Sequence, residues 1–161
     1  MIQFRPTIDE TLINIAFAWE ARSTCSRNHV GAVIALEGRV IGSGYNGTPA
    51  GMPHCDHGSI AASQLARRIT PPSVQLMPTT PMDRGCKESI HAEANALAYS
   101  ARHGVGVQGA TVYTTLSPCY ACSQLIIAAG LMRVVYARSY RDPSGIDLLK
   151  RAGLDVLKLG N

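Results

Sequence analysis

Residues 90–137 read IHAEANALAYSARHGVGVQGATVYTTLSPCYACSQLIIAAGLMRVVYA. Over 90–103, Ala92, Ala96, Leu97 and Ala98 give a helix with a small, close-packing face. Residues 110–115 are rich in Thr, Val and Tyr and read as a strand, 118–129 as a helix opening at Pro118, and 133–137 as a second strand. A helix over 145–152 and a strand over 154–157 extend the alternation. Such a β-α-β-α-β run calls for parallel strands joined by right-handed crossovers. Upstream, 30–36 and 39–44 are short β-rich runs joined by Glu37-Gly38, a turn pair that suits a hairpin. Before them, 7–22 follows Pro6, carries Asp9 and Glu10 in its opening turn, and spaces Leu12, Ile15, Ala16 and Trp19 helically. The expectation is an α/β fold of three layers, α/β/α, with a mixed five-stranded sheet between helices.

A chain of 161 residues has the size of one domain, expected over 1–161, and can bury one sheet between helices. The segment of about 45–88 is rich in Gly, Pro, Ser and Thr, with one short helix expected near 60–68, and reads as a functional loop insertion. No apolar run is long enough to span a bilayer, and Met-Ile-Gln-Phe-Arg-Pro at the N-terminus lacks the apolar core of a signal peptide, so a cytoplasmic location is expected. Five cysteines, an odd number, suit thiolate metal chemistry in a reducing compartment better than a disulfide framework. The net charge of +4 is scattered, which favours a phosphorylated small molecule over a nucleic acid backbone. No internal repeat is present.

The opening stretch also carries His91, Glu93, Cys119 and Cys122, in the order His-Ala-Glu, a helix and a strand, then Pro-Cys-Tyr-Ala-Cys. One imidazole and two thiolates make three zinc ligands, and a catalytic zinc keeps its fourth position for a water whose pKa it lowers toward neutrality. Glu93 follows the histidine too closely to be a comfortable fourth ligand and is placed to move protons between that water and a substrate. Cys119 and Cys122 stand three apart at a helix start, hence on one face, where backbone N–H groups and the helix dipole favour thiolates. With His91 and Glu93 in the first turn of the facing helix, zinc is expected between two helix N-termini, at the sheet end where open α/β folds bind ligands. The alternatives are a structural zinc site or ordinary buried thiols, and for Pro118 simply a helix N1 residue.

His-x-Glu followed by Pro-Cys-x-x-Cys is the known signature of zinc-dependent base deaminases. Further blocks extend the match: Ser23-Thr-Cys-Ser-Arg27, Val30-Gly-Ala-Val-Ile34, Gly44-Tyr-Asn-Gly-Thr-Pro-Ala-Gly51, Pro53-His-Cys55, Ile90-His-Ala-Glu-Ala-Asn-Ala96, Thr115-Leu-Ser-Pro-Cys119 and Ala129-Gly130. With these blocks, which span nearly the whole chain, the sequence resembles the deoxycytidylate (dCMP) deaminases of the cytidine/deoxycytidylate deaminase superfamily. The Gly-Tyr-Asn-Gly-x-Pro loop and the long insertion before His91 separate that family from cytidine deaminases and from tRNA adenosine deaminases. The resemblance implies a cytidine-deaminase-like fold and zinc-dependent hydrolysis of dCMP to dUMP and ammonia in pyrimidine deoxynucleotide metabolism. It also implies a homo-oligomer, commonly a hexamer, activated by dCTP and inhibited by dTTP, each taken with Mg2+.

On that resemblance Glu93 takes the water proton and serves N3 and the leaving amine, while the backbone of Ala92 meets the O2 edge of the base. Asn46, in the Gly-Tyr-Asn-Gly loop, is expected to hold the deoxyribose 3′-hydroxyl; its alternative is an Asn-Gly turn at a positive-φ position. Ser26 and Arg27, with Tyr140 and Arg141, are candidates for the 5′-phosphate by charge and location, against ordinary solvated surface residues. Gly47, Thr48 and Pro49 are the candidates for the loop that joins an effector site to the active site. Cys25, Cys55 and Cys86, with His54 or His57, are candidates for a second, structural zinc, against free thiols and solvated histidines in a loop. Three other functions retain most of these motifs: deamination of dCTP or of a modified cytosine nucleotide, deamination of a polynucleotide, and non-catalytic nucleotide sensing on zinc. One Trp, two Phe and no basic run speak against the polynucleotide, and Glu93 beside the ligands against the sensor.

Overall fold

Thr7 opens the first helix, α1 (Ile8–Glu20). Its hydroxyl accepts the Glu10 N–H at 3.2 Å, while Glu10 returns a carboxylate to the Thr7 N–H at 2.7 Å. This reciprocal cap satisfies two N–H groups that the helix cannot, for about 1 kcal/mol. The structure is a computed structural model, and it describes residues 5–25, 27–55 and 86–159. The short helix expected near 60–68 lies outside the described residues.

After α1 come β1 (Gly31–Leu36) and β2 (Arg39–Tyr45), then α2 (Ala92–Arg102), β3 (Thr111–Leu116), α3 (Tyr120–Ala128), β4 (Arg133–Arg138), α4 (Ser144–Arg151) and β5 (Asp155–Lys158). The sheet runs β2-β1-β3-β4-β5. β1 is antiparallel to both of its neighbours, and β3, β4 and β5 are parallel to one another, giving the expected mixed sheet. Alternation sorts the core into two layers. Val33, Ala35, Tyr113 and Val135 pack on Leu12, Ile13 and Ala16 of α1. Ala32, Ile34, Val112 and Val134 face the other way, onto Ala92 and Ala96 of α2, Ile126 of α3, and Ile146 and Leu149 of α4.

Two contacts fix the layers in register. Asp9 of α1 accepts two bonds of 2.8 Å from the Arg133 guanidinium and one of 2.8 Å from the Tyr113 hydroxyl, while Arg133 also reaches Asp155 at 2.7 Å. The Arg133 bond holds the Asp9 carboxyl below its usual range, and burial, with Asp9 beside it, pushes Tyr113 up to about 12. On the opposite face, Gly44 of β2 lies so close to α2 that a Cβ would stand 2.6 Å from both the Ala92 carbonyl oxygen and the Ala96 nitrogen. Only a glycine lets the backbone of α2, which carries Ala92 and Glu93, sit this close to the sheet.

The β1–β2 hairpin turns through Glu37 (φ 50) and Gly38 (φ 74). Two positive φ values make a type I′ turn, which favours Asn-Gly, and a glutamate in the left-handed region is strained. Glu37→Asn is therefore expected to raise stability by about 0.5–1 kcal/mol. An unchanged or lower midpoint in urea unfolding would refute this.

Candidate active site

Ile90 is held extended by paired backbone bonds to Gly47, Gly47 N–H to Ile90 O at 3.2 Å and Ile90 N–H to Gly47 O at 2.9 Å. α2 cannot begin until this bridge ends, so His91 (φ −71, ψ 153) is its N-cap and not part of its first turn. Cys119 (φ −71, ψ 170) caps α3 in the same way. Pro118 accordingly precedes the cap and is not the N1 residue, because the chain leaving β3 stays extended through Cys119. Of the expected first-turn pair, only Glu93 lies inside its helix.

The two caps meet. His91 Nδ1 lies 3.3 Å from Cys119 Sγ and 3.4 Å from Cys122 Sγ. Donors around one tetrahedral zinc, at its usual bond lengths to nitrogen and sulfur, stand about 3.6 Å apart. The set therefore fits zinc with small adjustments. Among the described residues, these three form the one group of metal-ligating side chains whose donor atoms all lie within 4.8 Å of one another.

The electrostatics suit a cation. Hydrogen bonds from Cys122 and from His91 bring the Cys119 thiol down to about 4. Cys122 moves up, through the same bond, burial and the adjoining Glu93 carboxylate. His91 is raised chiefly by its hydrogen bond to Cys119. A divalent ion binds the deprotonated donors and so competes with protons for them, and loading weakens as pH falls. Glu93 is only 4% exposed, and burial raises its carboxyl above the ordinary range. A carboxyl with a raised proton affinity is suited to take up and return a proton.

A pocket of about 360 Å³ opens over this floor. Its wall brings together Asn46, Ala92, Glu93, His91, Cys119, Arg27, Tyr140 and Arg141. It lies beyond the carboxyl ends of β3 and β4, the side on which open α/β sheets bind ligands. Ser26 and His57 lie outside the described residues. Asn46 is not at a positive φ, which removes the Asn-Gly turn alternative, because Gly47 continues the extended chain into its bridge with Ile90. Its side chain is a bracket: Oδ1 accepts the Val30 N–H at 2.8 Å and the Ser23 hydroxyl at 2.7 Å, and Nδ2 donates to the Asn28 carbonyl at 2.6 Å. Gly47, Thr48 and Pro49 do not line the pocket. Gly47 adjoins it through Ile90, and the Thr48 hydroxyl is buried with no hydrogen-bond partner among the described residues.

Cys25 and Cys86 line the same pocket. Cys55 is hydrogen-bonded to Cys86 and Cys25 and, mainly by burial, is pushed up to about 11. His54 is exposed. Sequence reasoning missed Asn28, Ser89, Ser117 and Ser139 in the pocket wall, and Asn95, whose amide donates to the Tyr45 carbonyl at 2.9 Å. Ser117 had a visible signal, its place two residues before the first cysteine ligand; Ser139 and Ser89 had none.

A paired thiolate and imidazole site on facing helix caps, with a buried glutamate beside it in a three-layer α/β/α fold, defines a zinc-dependent base deaminase. Residues 6–138 match the family described as the cytidine and deoxycytidylate deaminase zinc-binding region. The deoxycytidylate deaminase of Mycobacterium phage D29 is 43% identical, over 83% of this chain and 97% of its own. That of Enterobacteria phage T2 is 34% identical, over 92% and 90%. The crystal structure of the dCMP deaminase of cyanophage S-TIM5 in complex with dCMP and dUMP superposes with a TM-score of 0.76 at 30% identity, covering 98% of this chain and all of that one. The chain belongs to the cytidine and deoxycytidylate deaminase family and, within it, to the deoxycytidylate deaminases.

Proposed function

We propose that this protein hydrolyses dCMP to dUMP and ammonia, with His91, Cys119 and Cys122 holding zinc and Glu93 carrying the protons. The observation that supports it most is the buried Glu93 beside a three-donor cluster, on the floor of a pocket whose rim carries Arg27 and Arg141. When bound, zinc would supply a water ionisable near neutral pH. Glu93 accepts one proton of the water that adds to C4 and passes it to N3, then takes the remaining proton of the C4 hydroxyl and delivers it to the amine, so that the C4–N bond breaks as the C4 carbonyl forms. Ala92, the first residue of α2, presents its backbone N–H toward the O2 edge of the base. The second N–H of the Asn46 amide is the group for the 3′-hydroxyl, since Oδ1 already accepts two bonds. Arg27, Tyr140 and Arg141 take the 5′-phosphate, with Arg141 lying 5.9 Å over the Tyr140 ring.

The finer regulation is carried over from the family: activation by dCTP and inhibition by dTTP with Mg2+, through Gly47, Thr48 and Pro49, in a cytoplasmic homohexamer. The bridge from Gly47 to Ile90, the residue before His91, supports a mechanical link between that loop and the metal site. Cys25, Cys55 and Cys86 remain the candidates for a second zinc, and metal analysis giving one zinc per chain would remove them from that role.

Ammonia release from dCMP, dCTP and deoxycytidine, each with and without dCTP or dTTP, tests the proposal. The expected result is turnover of dCMP well above the others, raised by dCTP and lowered by dTTP. Preference for dCTP would enlarge the phosphate pocket. Hyperbolic kinetics untouched by either triphosphate would end the regulatory part, and no turnover from zinc-loaded protein the whole reading.

A further inference from the structure

We propose that Ser117 is a positioning residue for the phosphate end of the substrate: its hydroxyl replaces a rung of the β-sheet and so hangs residues 139–141 at a fixed distance from the zinc ligands. This rests on the reading that Tyr140 and Arg141 hold the 5′-phosphate.

Ser117 follows the last residue of β3, precedes Cys119 by two, and is 5% exposed. Its N–H donates to the Arg138 carbonyl at 2.8 Å, one step beyond the paired residues Leu116 and Arg138. In a regular parallel ladder the Ser117 carbonyl would next accept the N–H of Tyr140. Here the acceptor is the Ser117 hydroxyl, at 2.7 Å. The main chain cannot supply the rung because it turns away through Pro118 to cap α3 with Cys119. The side chain thus continues the pairing after the backbone has left it. Arg138 O and Tyr140 N are both fastened to this residue, which ties the loop after β4 to the strand that runs into the metal site. Ser117, Ser139, Tyr140 and Arg141 all line the same pocket. The spacing between an anion held at Tyr140 and Arg141 and a base held over Glu93 is therefore set through one hydroxyl.

The test uses zinc-loaded Ser117→Ala. Losing a neutral hydrogen bond from a half-buried N–H is expected to raise KM for dCMP roughly 5- to 10-fold. The zinc content and kcat should stay within about two-fold, as befits a change confined to the phosphate end. Inhibition by dUMP should weaken by the same factor as KM, while inhibition by deoxyuridine, which lacks the phosphate, should not change. Ser117→Thr keeps the hydroxyl and is expected to keep the parent KM; Ser117→Val, of the same shape without it, should behave as Ala. This isosteric pair also reads the hydroxyl if Ser117→Ala does not fold. An unchanged KM, a loss of zinc or kcat at constant KM, or equal weakening of dUMP and deoxyuridine would each overturn the inference. If the unaltered enzyme itself binds dUMP no better than deoxyuridine, the phosphate reading fails first. If it prefers dUMP and Ser117→Ala keeps that preference, only the role of Ser117 is lost.

Discussion

Glu93→Gln is expected to lose turnover by roughly 10²- to 10⁴-fold while zinc content and KM stay near those of the parent. The replacement preserves the volume of a side chain that is 4% exposed, so it leaves no cavity and does not disturb the packing of α2. What it removes is the capacity to accept a proton. Burial has raised the affinity of Glu93 for that proton, and Cys122 lies within hydrogen-bonding reach, so the carboxyl sits beside the metal donors without being one. An amide there can still donate and accept hydrogen bonds, which is why ligand binding and metal loading should survive. Steady-state kinetics with metal analysis on the same sample read the result. If activity stays within ten-fold of the parent, proton transfer runs through another group and the mechanism fails. If neither form turns over while both bind nucleotide equally, a nucleotide sensor becomes the better account.

The sheet and its helices were legible because each strand carries its own pattern. Residues 110–115 and 133–137 are β-branched and apolar, and the turn pair at Glu37-Gly38 marks a hairpin; the strands found there differ by one residue at most. The helix starts were less legible. Local propensity favours helix from Ile90, but the bridge to Gly47, across a long insertion, keeps that residue extended. Pro118 misled in the same manner, since proline suits N1 and also suits the extended residue before a cap. Both errors fall at the metal site, where a ligand at a cap position gains the unpaired N–H groups of the helix end.

The clustering of His91, Cys119 and Cys122 beside a buried Glu93 was legible from spacing, since a zinc site calls for those residue types in that order. Asn46 was half legible. Its place in the pocket followed from the motif, but its three bonds to Ser23, Val30 and Asn28 depend on a strand start sixteen residues away. The side chain organises the loop carrying Arg27 and also lines the pocket, and sequence shows none of its three partners. The same is true of Ser117, whose contact with Tyr140 spans 23 residues and exists only because β3 and β4 are neighbours.

Gly145→Ala should damage the metal site without replacing a ligand. Gly145 is the second residue of α4 and is buried against the start of α3. A Cβ there would stand 2.2 Å from the Pro118 carbonyl oxygen, 2.8 Å from the Cys119 carbonyl carbon and 2.8 Å from the Ser123 hydroxyl. The first two are backbone atoms and cannot rotate aside, so either α4 lifts from α3 or the Pro118–Cys119 peptide shifts. Overpacking of this kind costs about 1–3 kcal/mol. Because Cys119 has its Sγ 3.3 Å from His91, a displaced peptide also spoils the donor spacing, and zinc affinity should fall roughly 10- to 100-fold, as for other changes just behind a ligand. Chelator competition measures this, with thermal melts run in the presence and absence of zinc. A lower melting temperature with unchanged zinc affinity would mean that α4 moves and the ligand stays. Ser123→Ala discriminates further. The Ser123 hydroxyl is buried with no hydrogen-bond partner among the described residues, so its removal alone should be close to neutral. Combined with Gly145→Ala it relieves one of the three contacts, but not the 2.2 Å clash with the Pro118 carbonyl, so zinc affinity should stay low in the double variant. Full recovery would show that Ser123, not the backbone before the cysteine ligand, is what requires a glycine at this position.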